Sequence, residues 1–202
     1  MKIRFTLLKP DDDLHAELIE RGWIPLREPR NLGVAILLSI PLMVVAALIS
    51  IGIISVVSTI SFEEFGFTPD SFSITINLGI IFLIILVVVL HELLHLVFIP
   101  NFLRSQKTFV GLNLLGGFVI SEDEIARSRY ILITIAPFII ISVILPVILG
   151  VLGLLTSTVK LLIILNAMAS SVDILNLLLI TKQVPKKAIL RSNGPRTYWK
   201  NK

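Results

Sequence analysis

Four long apolar runs separated by polar segments dominate the chain. They extend over about Leu32 to Ile60, Ile74 to Ile99, Tyr130 to Leu155 and Val159 to Ile180. A helix needs roughly 20 residues to cross about 30 Å of hydrocarbon, and each run meets that length. The first run is longer than the core of a signal peptide, which predicts that it is retained. The pattern predicts an all-α, polytopic membrane protein with four transmembrane helices.

The polar segment before the first run predicts two short elements. Asp11, Asp12 and Asp13 are suitable caps for a helix from about Leu14 to Arg21. Ahead of them, Lys2 to Leu8 alternates loosely like a strand.

The loop between the second and third runs is unusual because it is itself apolar. Its stretch from Val110 to Ile120 contains three glycines and is too short to span a membrane, so it predicts a short cytoplasmic hairpin or a re-entrant loop. Ser121, with Glu124 three residues later, forms a capping box that predicts a helix leading into the third run. Pro137 and Pro146 predict kinks within that run.

Composition supports a membrane protein and narrows the chemistry. The mean hydropathy is +0.93, and 16% of the residues are charged, compared with roughly 25% in soluble domains. The 202 residues suffice for one helical bundle and leave no room for a second folded domain. The absence of cysteine excludes disulfides, thiol catalysis and cysteine-bound zinc, so a metal must be held by His, Asp or Glu.

The charges of the connecting segments predict the topology. Residues 1–31 contain six Lys or Arg, the loop after the second run four and the tail from Thr181 seven, whereas the loop from Ser61 to Ser73 has three acids and no base. Basic residues accumulate on the cytoplasmic side, which predicts a multi-pass cell-membrane protein with both termini in the cytoplasm. We predict a cytoplasmic segment at 1–31, a transmembrane domain at 32–180 and a basic cytoplasmic tail at 181–202. The net charge of +4 is explained by anionic lipid and requires no nucleic acid.

The candidate chemistry begins with the sequence His91-Glu92-Leu93-Leu94-His95 at the end of the second run. On a helix the two histidines share one face, where two imidazoles can bind one Zn²⁺ while Glu92 reaches its water. Chance occurrence of this HExxH pattern is on the order of a few in a thousand by composition. The motif predicts a zinc site within the membrane.

Asp173 in the fourth run is the candidate third ligand. The predicted topology places it about 10 Å below the cytoplasmic end of its helix, at the level of His91 and His95. We take the only ionisable side chains of the runs to be His91, Glu92, His95 and Asp173. An intramembrane Asp is costly without a partner, so we expect these four to form one site. Asp173 could instead orient a histidine or bind a proton, and His15 is too remote to bind. The rival third ligands are loop acids, namely Glu122, Asp123 and Glu124.

Such a site would support hydrolysis. A catalytic zinc usually has three protein ligands and an open position for water, and Glu92 would act as general base and later as acid. Asn166 or Asn176 could donate a hydrogen bond to an oxyanion, but a structural hydrogen bond between helices is the favoured role for both.

These residues resemble a known family. HExxH near the cytoplasmic end of one span and an Asp in Ser171–Asn176 of a later span resemble the intramembrane site-2 proteases. A closer resemblance is to a group of bacterial membrane proteins classed as putative zincin peptidases, which share the segment Arg21-Gly22-Trp23 and a four-span layout. The resemblance implies zinc ligation by His91, His95 and Asp173 and a general-base role for Glu92. Unlike site-2 proteases, this chain has Ile174 after the Asp.

We therefore predict a zinc-dependent endopeptidase, intramembrane or juxtamembrane, that cleaves a membrane-associated protein or peptide near the cytoplasmic face. An extended substrate could add as a strand to the Gly111–Ile120 element. The alternative is a membrane protein that binds metal as a sensor, carrier or scaffold without hydrolysis, and a proton-coupled transporter has less support. The sequence leaves the oligomeric state open.

Overall fold

The computed structural model describes residues 1–4, 6, 8–61, 63–68, 71, 77–113 and 116–202. Most of the chain, 59%, is helical. The helices are α1 (Asp12–Glu20), α2 (Leu32–Val57), α3 (Leu78–Phe98), α4 (Arg127–Pro137), α5 (Leu145–Val151), α6 (Ser157–Ala169) and α7 (Ser171–Gln183), with a 3₁₀ turn at Glu63–Phe65 and a π-helix at Phe138–Ile144.

The prediction of an all-α fold is wrong outside the helical bundle, because segments outside the four spans form two small sheets. The strands are β1 (Lys2–Arg4), β2 (Ile24–Pro25), β3 (Thr108–Asn113), β4 (Gly116–Ser121), β5 (Ile125–Ala126), β6 (Ile189–Asn193) and β7 (Arg196–Lys200). One sheet has the order β1-β3-β4 and the other β2-β7-β6-β5. Of these strands, β1 lies in the segment Lys2 to Leu8 that was predicted to alternate like a strand, and β3 and β4 form the predicted hairpin. Strands β2, β5, β6 and β7 were not predicted, and the pairs β2–β7 and β5–β6 join residues that are far apart in the sequence.

Four helical segments are long and apolar enough to cross a membrane: Leu32–Val57, Leu78–Phe98, Arg127–Val151 and Ser157–Gln183. They confirm the predicted four spans of a multi-pass protein. Asn31 and Asn77 cap the first two, each accepting a hydrogen bond from a backbone N–H three residues later. The predicted start of the second span at Ile74 and the loop acid Asp70 lie outside the described residues.

The third span is irregular in the region of its two prolines. Regular α-helix ends at Pro137, a π-helix follows over seven residues, and α-helix resumes at Leu145, just before Pro146. Proline lacks the N–H that a regular turn requires, which fits an interruption between these positions. The capping-box prediction is wrong: Ser121 ends β4, β5 follows, and the helix begins only at Arg127.

The fourth span consists of two helices, α6 and α7, which meet at Ser170. The Ser170 hydroxyl donates to the carbonyl of Asn166, 2.9 Å away. Asp173 therefore lies in the first turn of α7. The sequence predicted one continuous helix here, and the break was missed.

The bundle core is formed by small and aromatic residues. Ala46 of α2, Phe138 of the π-helix and Ala167 of α6 form a buried cluster, and small side chains allow membrane helices to approach closely. Helix α2 packs against α5, α6 and α7, whereas α3 packs against α4, α6 and β4. Of the four spans, α3 has the smallest buried share, so it lies at the edge of the bundle.

Both sheets lie at one end of the bundle. Strand β2 from the N-terminal segment pairs with β7 from the C-terminal tail, and β5 from the loop after α3 pairs with β6. Both chain ends therefore lie at the same end of the bundle as the C-terminus of α3. The side of the membrane that this end faces, and the boundaries at residues 31 and 180, stay predictions.

Candidate metal centre

Helix α3 presents two histidines at the end that faces the sheets. His91 and His95 are one turn apart, and their rings meet edge to face with centroids 4.9 Å apart. His91 is buried, at 8% exposure. The helical spacing that the HExxH pattern predicts is thus present in the structure.

Asp173 reaches both histidines from α7. Its Oδ2 lies 3.1 Å from Nε2 of His91, and its Oδ1 lies 3.5 Å from Nε2 of His95. The break at Ser170 starts a new helix just before this residue, so the carboxylate projects from a first helical turn. Three potential ligands from two spans converge, in agreement with the prediction that Asp173 lies at the level of the two histidines.

The other ring nitrogens already have partners. Nδ1 of His91 donates to Oδ1 of Asn166 at 3.0 Å, and Nδ1 of His95 donates to the carbonyl of Ile133 at 2.7 Å. A neutral imidazole has one donor nitrogen and one acceptor nitrogen. Donation from Nδ1 leaves the lone pair on Nε2, the nitrogen that faces Asp173 in both rings.

This donor set fits a zinc ion. One ligand atom from each of His91, His95 and Asp173 lies within 4.8 Å of the others. Tetrahedral zinc with bonds of about 2.0 Å has edges of about 3.3 Å between ligand atoms, and the two nitrogen–oxygen separations are 3.1 and 3.5 Å. Two neutral imidazoles and a carboxylate are also a typical set for catalytic zinc.

Glu92 lies beside the hairpin of β3 and β4. A Cβ placed on Gly117 would be 2.1 Å from Cγ and 2.8 Å from Oε1 of Glu92, so the bare backbone of β4 covers this side chain. A Cβ on Gly111 would be 1.8 Å from the carbonyl oxygen of Arg4, the residue opposite it in β1. Both glycines permit close contacts that no other residue could make. The predicted hairpin is thus confirmed, and it adjoins the site.

The rival candidates are not at the centre. Within the described chain, Glu122, Asp123 and Glu124 belong to no metal-binding group. The Asp123 carboxylate accepts a hydrogen bond from Ser105, and burial raises the pKa of Glu122. His15 is remote, with its Nδ1 2.8 Å from the Tyr198 hydroxyl.

Asn166 and Asn176, the two candidate oxyanion donors, differ in their hydrogen bonds. Asn166 contacts His91 through Oδ1 and directs its Nδ2 away from the centre, to Ser142 at 2.9 Å. Oδ1 of Asn176 is buried without a hydrogen-bond partner among the described residues. The interhelical hydrogen bond considered for Asn166 is present in the structure. The roles of Ser142 and Gly117 at this site were not predicted, and the carbonyl of Ile133 carries no sequence signal at all.

Lys160 is a fifth ionisable side chain in the apolar runs, so the expectation that His91, Glu92, His95 and Asp173 are the only ones is wrong. It lies in the fourth span, was left out of the predicted site, and is 4% exposed. Its ammonium donates to Glu64 at 2.8 Å and to the carbonyl of Thr59 at 2.5 Å. Because Lys160 is near the start of α6 and Asp173 is in α7, this ion pair is at the opposite end of the bundle.

The fold and the site define a class: a multi-pass membrane protein with a zincin-type metal site. A family model described as "Putative zincin peptidase" matches residues 84–189, more than half of the chain. The protein belongs to this family. The matched range contains His91, Glu92, His95 and Asp173, and the family implies zinc as the cofactor. No curated protein and no solved structure matches the chain.

Proposed function

We propose that this protein is a zinc-dependent endopeptidase that works within the membrane or at its cytoplasmic surface. Family membership supports a metallopeptidase. The observation that carries the rest is the convergence of two imidazole nitrogens and one carboxylate, with both Nδ1 atoms held by other partners. In this proposal His91, His95 and Asp173 hold the metal. Bound zinc would supply Lewis acidity that polarises a carbonyl and activates water.

Glu92 is the proposed general base. It follows His91 directly on α3 and is not part of the group of potential ligands. Its carboxylate accepts a proton from the attacking water and passes it to the leaving amine. The close backbone of Gly117 limits the rotamers open to Glu92, which favours a fixed position for the base.

The depth of the centre supports cleavage near one membrane surface. His95 precedes the end of α3 at Phe98 by three residues and His91 by seven, which corresponds to about 5 and 10 Å along the helix. Positive charge in residues 1–31, in the loop after α3 and in the tail supports a cytoplasmic location for this end. We propose a cell-membrane protein with both termini in the cytoplasm and a membrane protein or peptide as substrate.

Strand β4 is the proposed docking site for an extended substrate. It is the outer strand of the β1-β3-β4 sheet, and its residue Gly117 contacts Glu92. An extended peptide added to a free sheet edge gains main-chain hydrogen bonds, and here it would lie beside the base. A proline at Phe118 would remove a backbone N–H and disturb β4, and the matched control is Ile3→Pro on the opposite edge strand. Equal turnover by the two variants would argue against strand addition. The other position considered for a proline, Leu114, lies outside the described residues.

The function is tested with purified wild-type protein and Glu92→Gln in detergent. Bound zinc is measured by mass spectrometry, and cleavage is measured on a panel of single-span membrane peptides. One zinc per chain in both proteins, with cleavage only by the wild type, is the expected result. Zinc in both without cleavage in either would favour the metal-binding alternative. Absence of zinc from both proteins would refute the proposed centre.

A further inference from the structure

We infer that Asn166 is a positioning residue, held by Ser142 and Pro137, that fixes the protonation of the His91 ring so that Nε2 is free for zinc. This inference rests on the proposed function, because it takes His91 as a metal ligand. Asn166 is 3% exposed and lies on α6, which packs against α3, the helix that carries the histidines. We call the hydrogen-bonded residues His91, Asn166, Ser142 and Pro137 the relay. They are described residues of four separate elements.

The direction of each hydrogen bond follows from two carbonyl groups. The Ser142 hydroxyl donates to the carbonyl of Ile163 at 3.2 Å, so its oxygen accepts from Nδ2 of Asn166 at 2.9 Å. Nδ2 also points to the carbonyl of Pro137, 3.4 Å away. Carbonyl oxygens only accept, and therefore the amide nitrogen of Asn166 must lie on that side. Its Oδ1 then faces His91.

The amide orientation decides the tautomer. An amide oxygen opposite Nδ1 of His91, at 3.0 Å, requires a proton on that nitrogen. With Asn166 reversed, its oxygen would meet the Pro137 carbonyl and its NH₂ group would meet Nδ1. The proton of a neutral ring would then be on Nε2 and would occupy the position from which zinc is bound. The relay excludes this arrangement.

The irregular third span makes the relay possible. Ser142 belongs to the π-helix, and Pro137 is the last residue of α4 before it. A π-helical stretch changes the direction of side chains relative to a regular helix and is frequent at functional sites. Ser142 is fully buried, at 0% exposure. The interruption thus has a use in this fold: it directs a hydroxyl and a carbonyl to one amide.

The first test is zinc affinity, measured by competition with a chelator in detergent. Loss of the hydrogen-bond partner of a metal-bound histidine typically costs 10-fold to 100-fold in affinity, and we expect this loss for Asn166→Leu. Ser142→Ala should lose less, since Pro137 still holds the amide, and Asn166→Asp, which keeps an acceptor for Nδ1, should bind zinc more tightly than Asn166→Leu. Ser50→Ala is the matched control, because Ser50 is equally buried and its hydroxyl has no partner among described residues.

The second test does not depend on the fold tolerating a change at Asn166. The chain has three histidines, so histidine-selective ¹⁵N labelling gives few signals, and His91→Ala assigns one set. In zinc-loaded wild type, the His91 signals should show a proton on Nδ1 and metal on Nε2. Metal on Nδ1 would overturn the inference.

The proposed ligand set and the positioning role of Asn166 can be refuted separately. If His91→Ala binds zinc as tightly as wild type, the proposed ligand set is wrong. If His91→Ala loses zinc while Asn166→Leu is folded and binds as tightly as wild type, the ligand set stands and the positioning role of Asn166 is wrong.

Discussion

Two buried polar clusters lie at opposite ends of the bundle, and they differ in how their groups are paired. In the cluster of Lys160, the ammonium meets a carboxylate and a carbonyl, and Ser157 donates to the same Glu64 carboxylate at 3.2 Å. The charged groups there are thus paired with each other, donor to acceptor. In the cluster of His91, His95 and Asp173, both Nδ1 atoms donate to other partners, so in neutral rings two acceptor nitrogens face one carboxylate.

This difference separates a structural ion pair from a binding site. Buried ionisable groups in a membrane are costly and must be paired with something. The Lys160 cluster is paired internally and needs no ligand. With neutral rings, the histidine cluster collects electron pairs at one point, and a bound metal ion or a proton balances them. Burial alone would have grouped the two clusters, but the direction of the donors distinguishes them.

The same Glu-to-Gln change at the two clusters should give opposite results, and the largest effect is expected at Glu92. We expect Glu92→Gln to reduce cleavage by about 10²-fold to 10⁴-fold, because a general base contributes that much. Its zinc content and melting temperature should match the wild type. Cleavage is measured with the peptide panel, and Glu64→Gln should retain activity at temperatures where it is folded. Full activity of Glu92→Gln would remove Glu92 from the mechanism.

Zinc should raise the melting temperature of the protein only when the histidine cluster is complete. A ligand present at 100 times its dissociation constant stabilises a protein by about 2.7 kcal/mol, so chelation should lower the melting temperature of the wild type and added zinc should restore it. Asp173→Ala should show little of this shift at the same zinc concentration. Glu64→Gln is the control and should show the full shift. A full zinc-dependent shift in Asp173→Ala would contradict ligation by this carboxylate.

The contact between Gly117 and Glu92 is a finer test of the site. Gly117→Ala would place a methyl group 2.1 Å from Cγ of Glu92, so the side chain or the hairpin must move. We expect a loss of turnover of about 10²-fold, as for misplacement of a catalytic group by about 1 Å, with zinc binding unchanged. Gly52→Ala is the matched control, since nothing lies within 4 Å of a Cβ there. Equal turnover by the two variants would show that the hairpin does not position the base.

The Lys160 cluster should affect stability and leave the chemistry intact. Glu64→Gln leaves a buried ammonium without its counter-charge, and breaking a buried pair costs about 3 kcal/mol, measured as thermal unfolding in detergent. The hydrogen bond from Lys160 lowers the pKa of Glu64 below its usual 4.5. Its stabilisation is therefore complete above pH 4.5 and is lost as the pH falls through the lowered value. The difference in melting temperature between wild type and Glu64→Gln should shrink in acid, and a constant difference would contradict the ion pair.

The sequence was most informative where the position of a residue depends on its spacing within one helix or on its depth in the membrane. The spacing of His91 and His95 is fixed by the helical turn, and the loop charges predict that Asp173 lies at their level. The structure brings these three side chains together. Their roles as ligands, and that of Glu92 as base, stay predictions for the experiments above.

Other features were beyond a local pattern because distant contacts decide them. Strand β7, Arg196–Lys200, lies in what was predicted as a basic tail, and its register is set by β2 and β6. Asn166 resembles any polar residue in a span until its amide is seen between His91 and Ser142. The break at Ser170 has no glycine or proline to announce it. In each case the partner is supplied by another part of the chain.

The sheet of β2, β5, β6 and β7 also determines how early during synthesis the fold can form. Its strands come from the first 25 residues, from the loop before α4 and from residues 189–200. Because β7 pairs with both β2 and β6, the sheet cannot close until Lys200 has left the ribosome. A nascent chain that has just completed the fourth span at Gln183 therefore still lacks this closure.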